Sequence, residues 1–164
     1  MFSIRAAGAS DTLLLDQLMQ LYFFEASSWS DEDLALDGRY DCDANAIATN
    51  LRTSPGWARI LLVNGNIAGF VLVEDTELES TPVLELADLF VLPKYRRSGL
   101  ATWATRELLT RSSERWLIAV FRRDLQAYAY WARALRRLQV EFHELPEDTD
   151  GAFRLFTVEP RKTP

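Results

Sequence analysis

The stretch that decides the fold runs from Leu84 to Leu109, and its centre reads Val91-Leu-Pro-Lys-Tyr-Arg-Arg-Ser-Gly-Leu-Ala101. An apolar, strand-like segment, Val83 to Val91, leads into a basic turn holding Lys94, Arg96, Arg97, Ser98 and Gly99. An amphipathic pattern from Leu100 to Arg111 then predicts a helix. A strand that feeds a glycine-containing turn at a helix start makes an anion site. The first backbone N–H groups of the helix lack partners, and the positive end of its dipole points the same way. Glycine allows close backbone approach to a phosphate, and Ala101 removes bulk from the first helical turn.

Working outward, Phe2 to Arg5 alternates as an edge strand. Ser10 or Asp11 is placed to cap a helix whose apolar residues Leu13, Leu14, Leu18, Leu21 and Tyr22 share a face, and Phe24 is expected in the core. Residues 28–43 read as irregular. Ala44 to Leu51 allows a second helix, stopped by Ser54-Pro55-Gly56. Arg59 to Val63 and Ile67 to Val73 are strand-like, and Asn64-Gly65 between them is a hairpin signal because both residues tolerate positive φ. Asp75 to Pro82 reads as a polar loop. Trp116 to Phe121 is a buried strand, Asp124 caps a helix through Leu138, and Val140 to Leu145 and Phe153 to Val158 are two final strands. The order is β-α-α-β-β-β-α-β-α-β-β, which predicts a single α/β (α+β) domain over 1–164, a mixed sheet with helices on both faces.

Composition narrows the function. The chain has 164 residues, 48% of them hydrophobic, and a net charge of −6, which argues against nucleic acid as a partner. No run of about 18 apolar residues marks a membrane span, and no signal peptide is evident at Met1 to Arg5. Cys42 is the only cysteine, so no internal disulfide is expected and a cytoplasmic protein is the default. With His143 the only histidine, a metal site is not expected. Charge is unevenly spread: Glu25, Asp31, Glu32, Asp33, Asp37, Asp41 and Asp43 face a single Arg39 in residues 25–43, whereas residues 94–97 carry Lys94, Arg96 and Arg97 and no acid. An acidic chain with one basic turn suits an anionic cofactor.

In this context Arg96-x-x-Gly99-x-Ala101 resembles the central motif of the GNAT superfamily of N-acetyltransferases, an apolar strand, then (Gln/Arg)-x-x-Gly-x-(Gly/Ala), then a helix. Asp124-x-x-Ala127-x-x-Tyr130-Trp131 resembles the family's second motif, Asn-x-x-Ala-x-x-(Phe/Leu)-Tyr. The element order fits the family fold, with its mostly antiparallel sheet, from end to end. The resemblance implies acetyl-CoA as acyl donor. It implies a pyrophosphate on backbone N–H groups of Arg97, Ser98, Gly99, Leu100, Ala101 and Thr102, and a pantetheine arm paired with the backbone of Leu89, Phe90 and Val91. Ala127, Tyr130 and Trp131 would pack toward its thiol end, with Asp124 in the place of the family's asparagine, and Lys94, Arg96 or Arg97 would meet the outer phosphates.

The implied reaction is direct attack of a primary amine on the thioester, the amine belonging to a small cationic molecule or a peptide. A carboxylate must take the amine's proton; Asp88 is the first candidate and Glu85 the second. Backbone N–H near Val91 would stabilise the oxyanion. The family's tyrosine acid aligns with Trp131, which cannot protonate a thiolate, leaving Tyr130 or Tyr128 as candidates, or none. These departures leave open an alternative, a non-catalytic acyl-CoA-binding sensor or partner module. The aromatics Phe153 and Phe156 are compatible with a homodimer and equally with a core.

Overall fold

In the computed structural model, which describes residues 1–146 and 151–160, the chain folds through β1 (Phe2–Ala6), α1 (Thr12–Ala26), α2 (Ala44–Thr53), β2 (Ala58–Val63), β3 (Asn66–Leu78), β4 (Thr81–Val91), α3 (Leu100–Leu109), β5 (Trp116–Phe121), α4 (Leu125–Leu138), β6 (Phe142–Glu144) and β7 (Phe153–Val158). This is the order expected from the sequence. The seven strands form one mixed, mostly antiparallel sheet in the order β1-β2-β3-β4-β5-β7-β6. The β4–β5 pair is parallel, with Leu84 opposite Trp116 and Glu85 opposite Leu117. A strand-helix-strand crossover through α3 joins them, as a parallel pair requires.

Several expectations need correction. The polar loop placed at Asp75 to Pro82 is strand on both sides: β3 continues to Leu78 and β4 begins at Thr81, leaving only Glu79 and Ser80 as the turn, at φ 50° and 64°. Two consecutive left-handed residues give the hairpin twist that pairing requires. The same geometry occurs at Asn64 (φ 50°) and Gly65 (φ 80°), where the sequence announced it. On α1 the buried face is Leu15, Leu18 and Ala26. Leu13 and Leu21 are exposed, and Phe24, expected in the core, is 68% exposed. Asp11 does not cap α1: its carboxylate accepts the Gly8 N–H at 2.9 Å and closes the short 3-10 turn before the helix.

The chain divides into two compact units, Met1–Leu72 with Asp88–Tyr95, and Val73–Ala87 with Arg96–Pro164. In the first, α1 and α2 pack together and Leu15, Ile60, Leu61 and Phe70 are fully buried. Tyr22, Phe70 and Phe90 form an aromatic cluster with centroids 5.7–6.0 Å apart, distances at which offset and edge contacts are favourable. The irregular segment after α1 is fastened back onto that helix. Arg39 donates to both carboxylate oxygens of buried Asp16 at 2.7 and 2.8 Å. Gln20 meets the backbone of Tyr40, donating to its carbonyl at 3.1 Å and accepting its N–H at 2.8 Å.

A bulge fixes the passage of β3 along β4 in this unit. Leu61 pairs with Gly69 but Leu62 pairs with Ile67, so Ala68 is the extra residue. Its carbonyl accepts the N–H of Leu92 at 2.8 Å, just past the end of β4. At Gly69 a Cβ would lie 2.0 Å from the carbonyl oxygen of Phe90.

In the second unit, Leu100, Ala104 and Leu109 of α3, Ile118 of β5, Leu135 of α4 and Phe156 and Val158 of β7 are buried. Phe156 is therefore a core residue, and Phe153 stacks against Phe121 with centroids 4.4 Å apart. Among the described residues no helix is long and apolar enough to cross a membrane.

Two predictions test this frame. Gly69→Ala forces a methyl group into the Phe90 carbonyl, so it lowers stability by about 2–4 kcal/mol in urea melts; a variant as stable as the parent would refute the close approach. The Arg5 guanidinium grips Asp11 at 2.7 and 2.8 Å and, with the Gly8 N–H, holds its carboxyl down from 3.8 to about 2. A depressed acid stabilises the fold above its unfolded pKa, and that contribution fades as pH falls from about 4 toward 2. Asp11→Asn therefore costs ~1–2 kcal/mol at pH 7, allowing for the half-exposed arginine, and nearly nothing at pH 2. Melts of both proteins across that range check it, a pH-independent gap being the contrary result.

Candidate active site

The basic turn is built as an open helix start. Leu100 is buried and anchors α3 in the core, so its contribution at the turn is its main chain. Gly99 is the N-cap at φ 91° and offers no side-chain acceptor. Nothing lies within 4 Å of where its Cβ would be. Arg97 takes φ 59°, and Arg96, Arg97 and Ser98 are all exposed. The Leu100 N–H is 3.4 Å from Ser98 Oγ, a long bond, and the first intrahelical acceptor, the Gly99 carbonyl, takes the Trp103 N–H at 2.9 Å. The N–H groups of Ala101 and Thr102 therefore precede the helical ladder.

Two of the other helices, α2 and α4, show what closure looks like. Asp43 caps α2 by accepting the Asn45 N–H at 2.8 Å, and Asp124 caps α4 by accepting the Ala127 N–H at 2.9 Å. A carboxylate thus satisfies each of those ends, while α3 presents a glycine, an open space and two arginines. The Asp124 carboxylate, standing where the family pattern has asparagine, is occupied in holding its own helix.

Farther along α4 the expected site residues separate. Trp131 is buried, 6% exposed, with its ring edge-on to Tyr130 at 5.0 Å. Tyr130 turns toward α3, where its hydroxyl lies 3.0 Å from Thr105 Oγ1, with Thr102 also nearby as an influence on the phenol. Burial raises its phenol pKa above the ordinary value, against the opposing effect of those threonines. Tyr128 turns instead to the β6–β7 hairpin. Its ring stacks on Phe156 at 5.9 Å, Arg154 lies over it at 4.3 Å, and its hydroxyl donates to Glu144 at 3.3 Å.

On β4, Asp88 and Glu85 are both half-buried. Phe90 and Val91 are buried and Leu89 half-buried. Among the described residues no three His, Cys, Asp or Glu side chains are placed to hold a metal ion. Burial, ahead of the neighbouring Asp16 carboxylate, raises the Cys42 thiol to about 11, so it stays protonated near neutrality and is a poor nucleophile. His143 is exposed on β6.

One residue at this site escaped the sequence reading. Thr105 is fully buried, and its hydroxyl donates to the Ala101 carbonyl at 2.9 Å. The signal was present, since a threonine inside a helix commonly bonds the carbonyl four residues back; what its oxygen would in turn accept was not written locally.

With this geometry in hand, comparison with known proteins is direct. The model of the acetyltransferase (GNAT) family matches residues 15–135. The sequence matches no curated protein. Solved structures share the fold at low identity. A GNAT-family acetyltransferase from Streptococcus agalactiae superposes with a TM-score of 0.69 at 16% identity, covering 99% of this chain and 96% of that one. Diaminobutyrate acetyltransferase from Paenibacillus lautus, solved with L-2,4-diaminobutyric acid and coenzyme A, gives 0.66 at 14% identity over 98% and 95%. A putative acetyltransferase from Salmonella typhimurium, solved with acetyl-CoA, gives 0.60 at 14% identity over 96% and 91%. The family match across most of the chain, falling on the open helix start and the Asp124-capped helix, makes the protein a member of the GNAT acetyltransferase family.

Proposed function

We propose that the protein transfers the acetyl group of acetyl-CoA to a primary amine by direct attack, the acceptor being a small cationic molecule or a peptide. The observation that carries this reading is the unclosed start of α3: N–H groups ahead of the helical ladder, a Gly99 with nothing where a Cβ would stand, and arginines at 96 and 97. A pyrophosphate needs several donors, positive potential and room for close approach, and this turn has all three. The donor-bound neighbours from Paenibacillus lautus and Salmonella typhimurium support acetyl-CoA as the substrate. In this reading Leu89, Phe90 and Val91 lend backbone groups to the pantetheine arm, and Ala127 and Trp131 line its far end.

The chemistry follows from proton bookkeeping. An alkyl amine has a pKa near ~10.4 and is protonated at pH 7, so its proton must leave before its lone pair can attack the thioester carbon. Asp88 takes that proton directly or through a water, with Glu85 as the second candidate. The nitrogen–carbon bond forms, the carbon–sulfur bond breaks, sulfur leaves with the electron pair, and the nitrogen, positively charged after attack, gives its second proton to water as the amide forms. A thiol with a pKa near ~8.5 departs as thiolate without needing an acid. That suits a site whose tyrosines at 128 and 130 have their hydroxyls engaged by Glu144 and Thr105. The acceptor half draws support from charge: Glu32, Asp33, Asp37 and Asp41 are exposed on the segment after α1, and their field favours a cation.

Mixing the protein with acetyl-CoA and a panel of polyamines, aminoglycosides and peptides should release free CoA with at least one acceptor. Asp88→Asn is expected to cut that turnover by about 10²-fold or more while leaving CoA binding intact; unchanged turnover removes Asp88 from the mechanism. Acetyl-CoA at about 100 Kd should raise the melting temperature by roughly 5–10 °C. Gly99→Val places a branched side chain in the open space and at a left-handed φ, so it should abolish the shift. No shift in the parent protein would defeat the acetyl-CoA reading, and binding without any acceptor-dependent CoA release would favour a sensor.

A further inference from the structure

We infer that Tyr130 is a positioning residue that holds the first turn of α3 through a buried hydroxyl relay, fixing the N–H groups that receive the acetyl-CoA phosphates, and does not act as an acid. The inference rests on the acetyl-CoA reading above and concerns residues of the second unit alone.

The direction of the relay follows from donor counting. A threonine hydroxyl has a single hydrogen. Thr105 gives its own to the Ala101 carbonyl at 2.9 Å, so across the 3.0 Å contact the Tyr130 hydroxyl is the donor and Thr105 Oγ1 the acceptor. The chain runs Tyr130 O–H to Thr105 O–H to Ala101 carbonyl. Its endpoint, Ala101, lies in the turn that follows Gly99. Thr105 has no exposed surface, and a buried hydroxyl left without its partner is costly, so the relay constrains both helices.

The same arrangement disqualifies Tyr130 as a proton donor. Its hydrogen is already spent on Thr105, and burial disfavours the phenolate that proton donation would leave behind. An acid for a departing thiolate should instead reach the reacting atoms with a proton free to move. The position also makes sense of Trp131. That indole fills the core beside Tyr130 at 5.0 Å, so α4 spends these adjacent aromatic positions on packing and on steering α3.

Tyr130→Phe and Thr105→Val remove the relay from either end with little change of shape. Each should raise the Kd of acetyl-CoA by calorimetry, and its KM, by about three- to ten-fold, the equivalent of one buried hydrogen bond. The value of kcat and the position of its alkaline limb should stay within about two-fold of the parent. Because both changes break one chain, the double variant should lose little more than either alone. A kcat loss of 10²-fold or more in Tyr130→Phe with the alkaline limb abolished and Kd unchanged would make Tyr130 the acid and overturn the inference. A fall in melting temperature with Kd and KM unmoved would make it merely structural and also overturn it. Failure of the parent protein to bind acetyl-CoA would remove the cofactor reading itself and the relay's role with it, whereas equal binding by parent and variants refutes the relay alone.

Discussion

The first unit depends on how closely β3 passes β4. At Gly69 a Cβ would sit 2.0 Å from the Phe90 carbonyl, so only a residue without a side chain permits the two backbones to meet there. The bulge at Ala68 supplies the turn of the chain that makes this approach possible, and the Ala68 carbonyl then takes the Leu92 N–H. The consequence is a fixed end for β4. Phe90 is held against Phe70 and Tyr22, and the backbone leaves the sheet at a defined residue. Pro93 to Tyr95 then form a 3-10 turn, and the basic turn starts at Arg96. The register of β3 thus sets where β4 ends.

How much of this was legible can be read from particular residues. Asn64-Gly65 announced its hairpin because both residues accept positive φ cheaply. Glu79-Ser80 did not: neither is a usual left-handed residue, and the pairing of long strands on either side imposes the turn on them. The strands and helices from Val83 to Leu138 fell where expected because apolar runs, Gly99 and Asp124 punctuate them strongly. In α1 the apolar residues Leu13, Leu14, Leu15, Leu18, Leu21, Tyr22, Phe23 and Phe24 surround most of the helix. Periodicity could not choose the buried stripe. A polar contact chooses it, since Asp16 is buried only because Arg39 returns to meet it, a pairing across 23 residues that no local pattern encodes.

The candidate site divides along the same line. The helix start at Gly99 was legible because a strand-turn-helix junction is a local object, made by consecutive residues. The destinations of Tyr128 and Tyr130 were not. Helical geometry separates their directions by about 200°, but what waits in each direction, Thr105 on one side and Phe156 with Glu144 on the other, depends on elements distant in sequence. The helix starts differ as well: aspartates close α2 and α4, whereas α1 and α3 begin without a side-chain cap, and only α3 begins at a glycine.

The fastening of the acidic segment has a different consequence. Residues 31–37 arch between two pinned ends. Trp29 and Ser30 bond back to the Ala26 carbonyl, and Arg39 and Tyr40 are gripped by Asp16 and Gln20. The clamps fix where the arch starts and finishes, irrespective of what it contains. Closing a longer arch over the same clamps costs little, about 0.6 kcal/mol for each doubling of its length. Insertions between Asp33 and Leu34, ahead of the Ala35 and Asp37 bonds to the Arg39 backbone, are therefore nearly neutral for the frame beneath. Within this chain, that arch is a segment whose length can change at small cost to the helix that carries it.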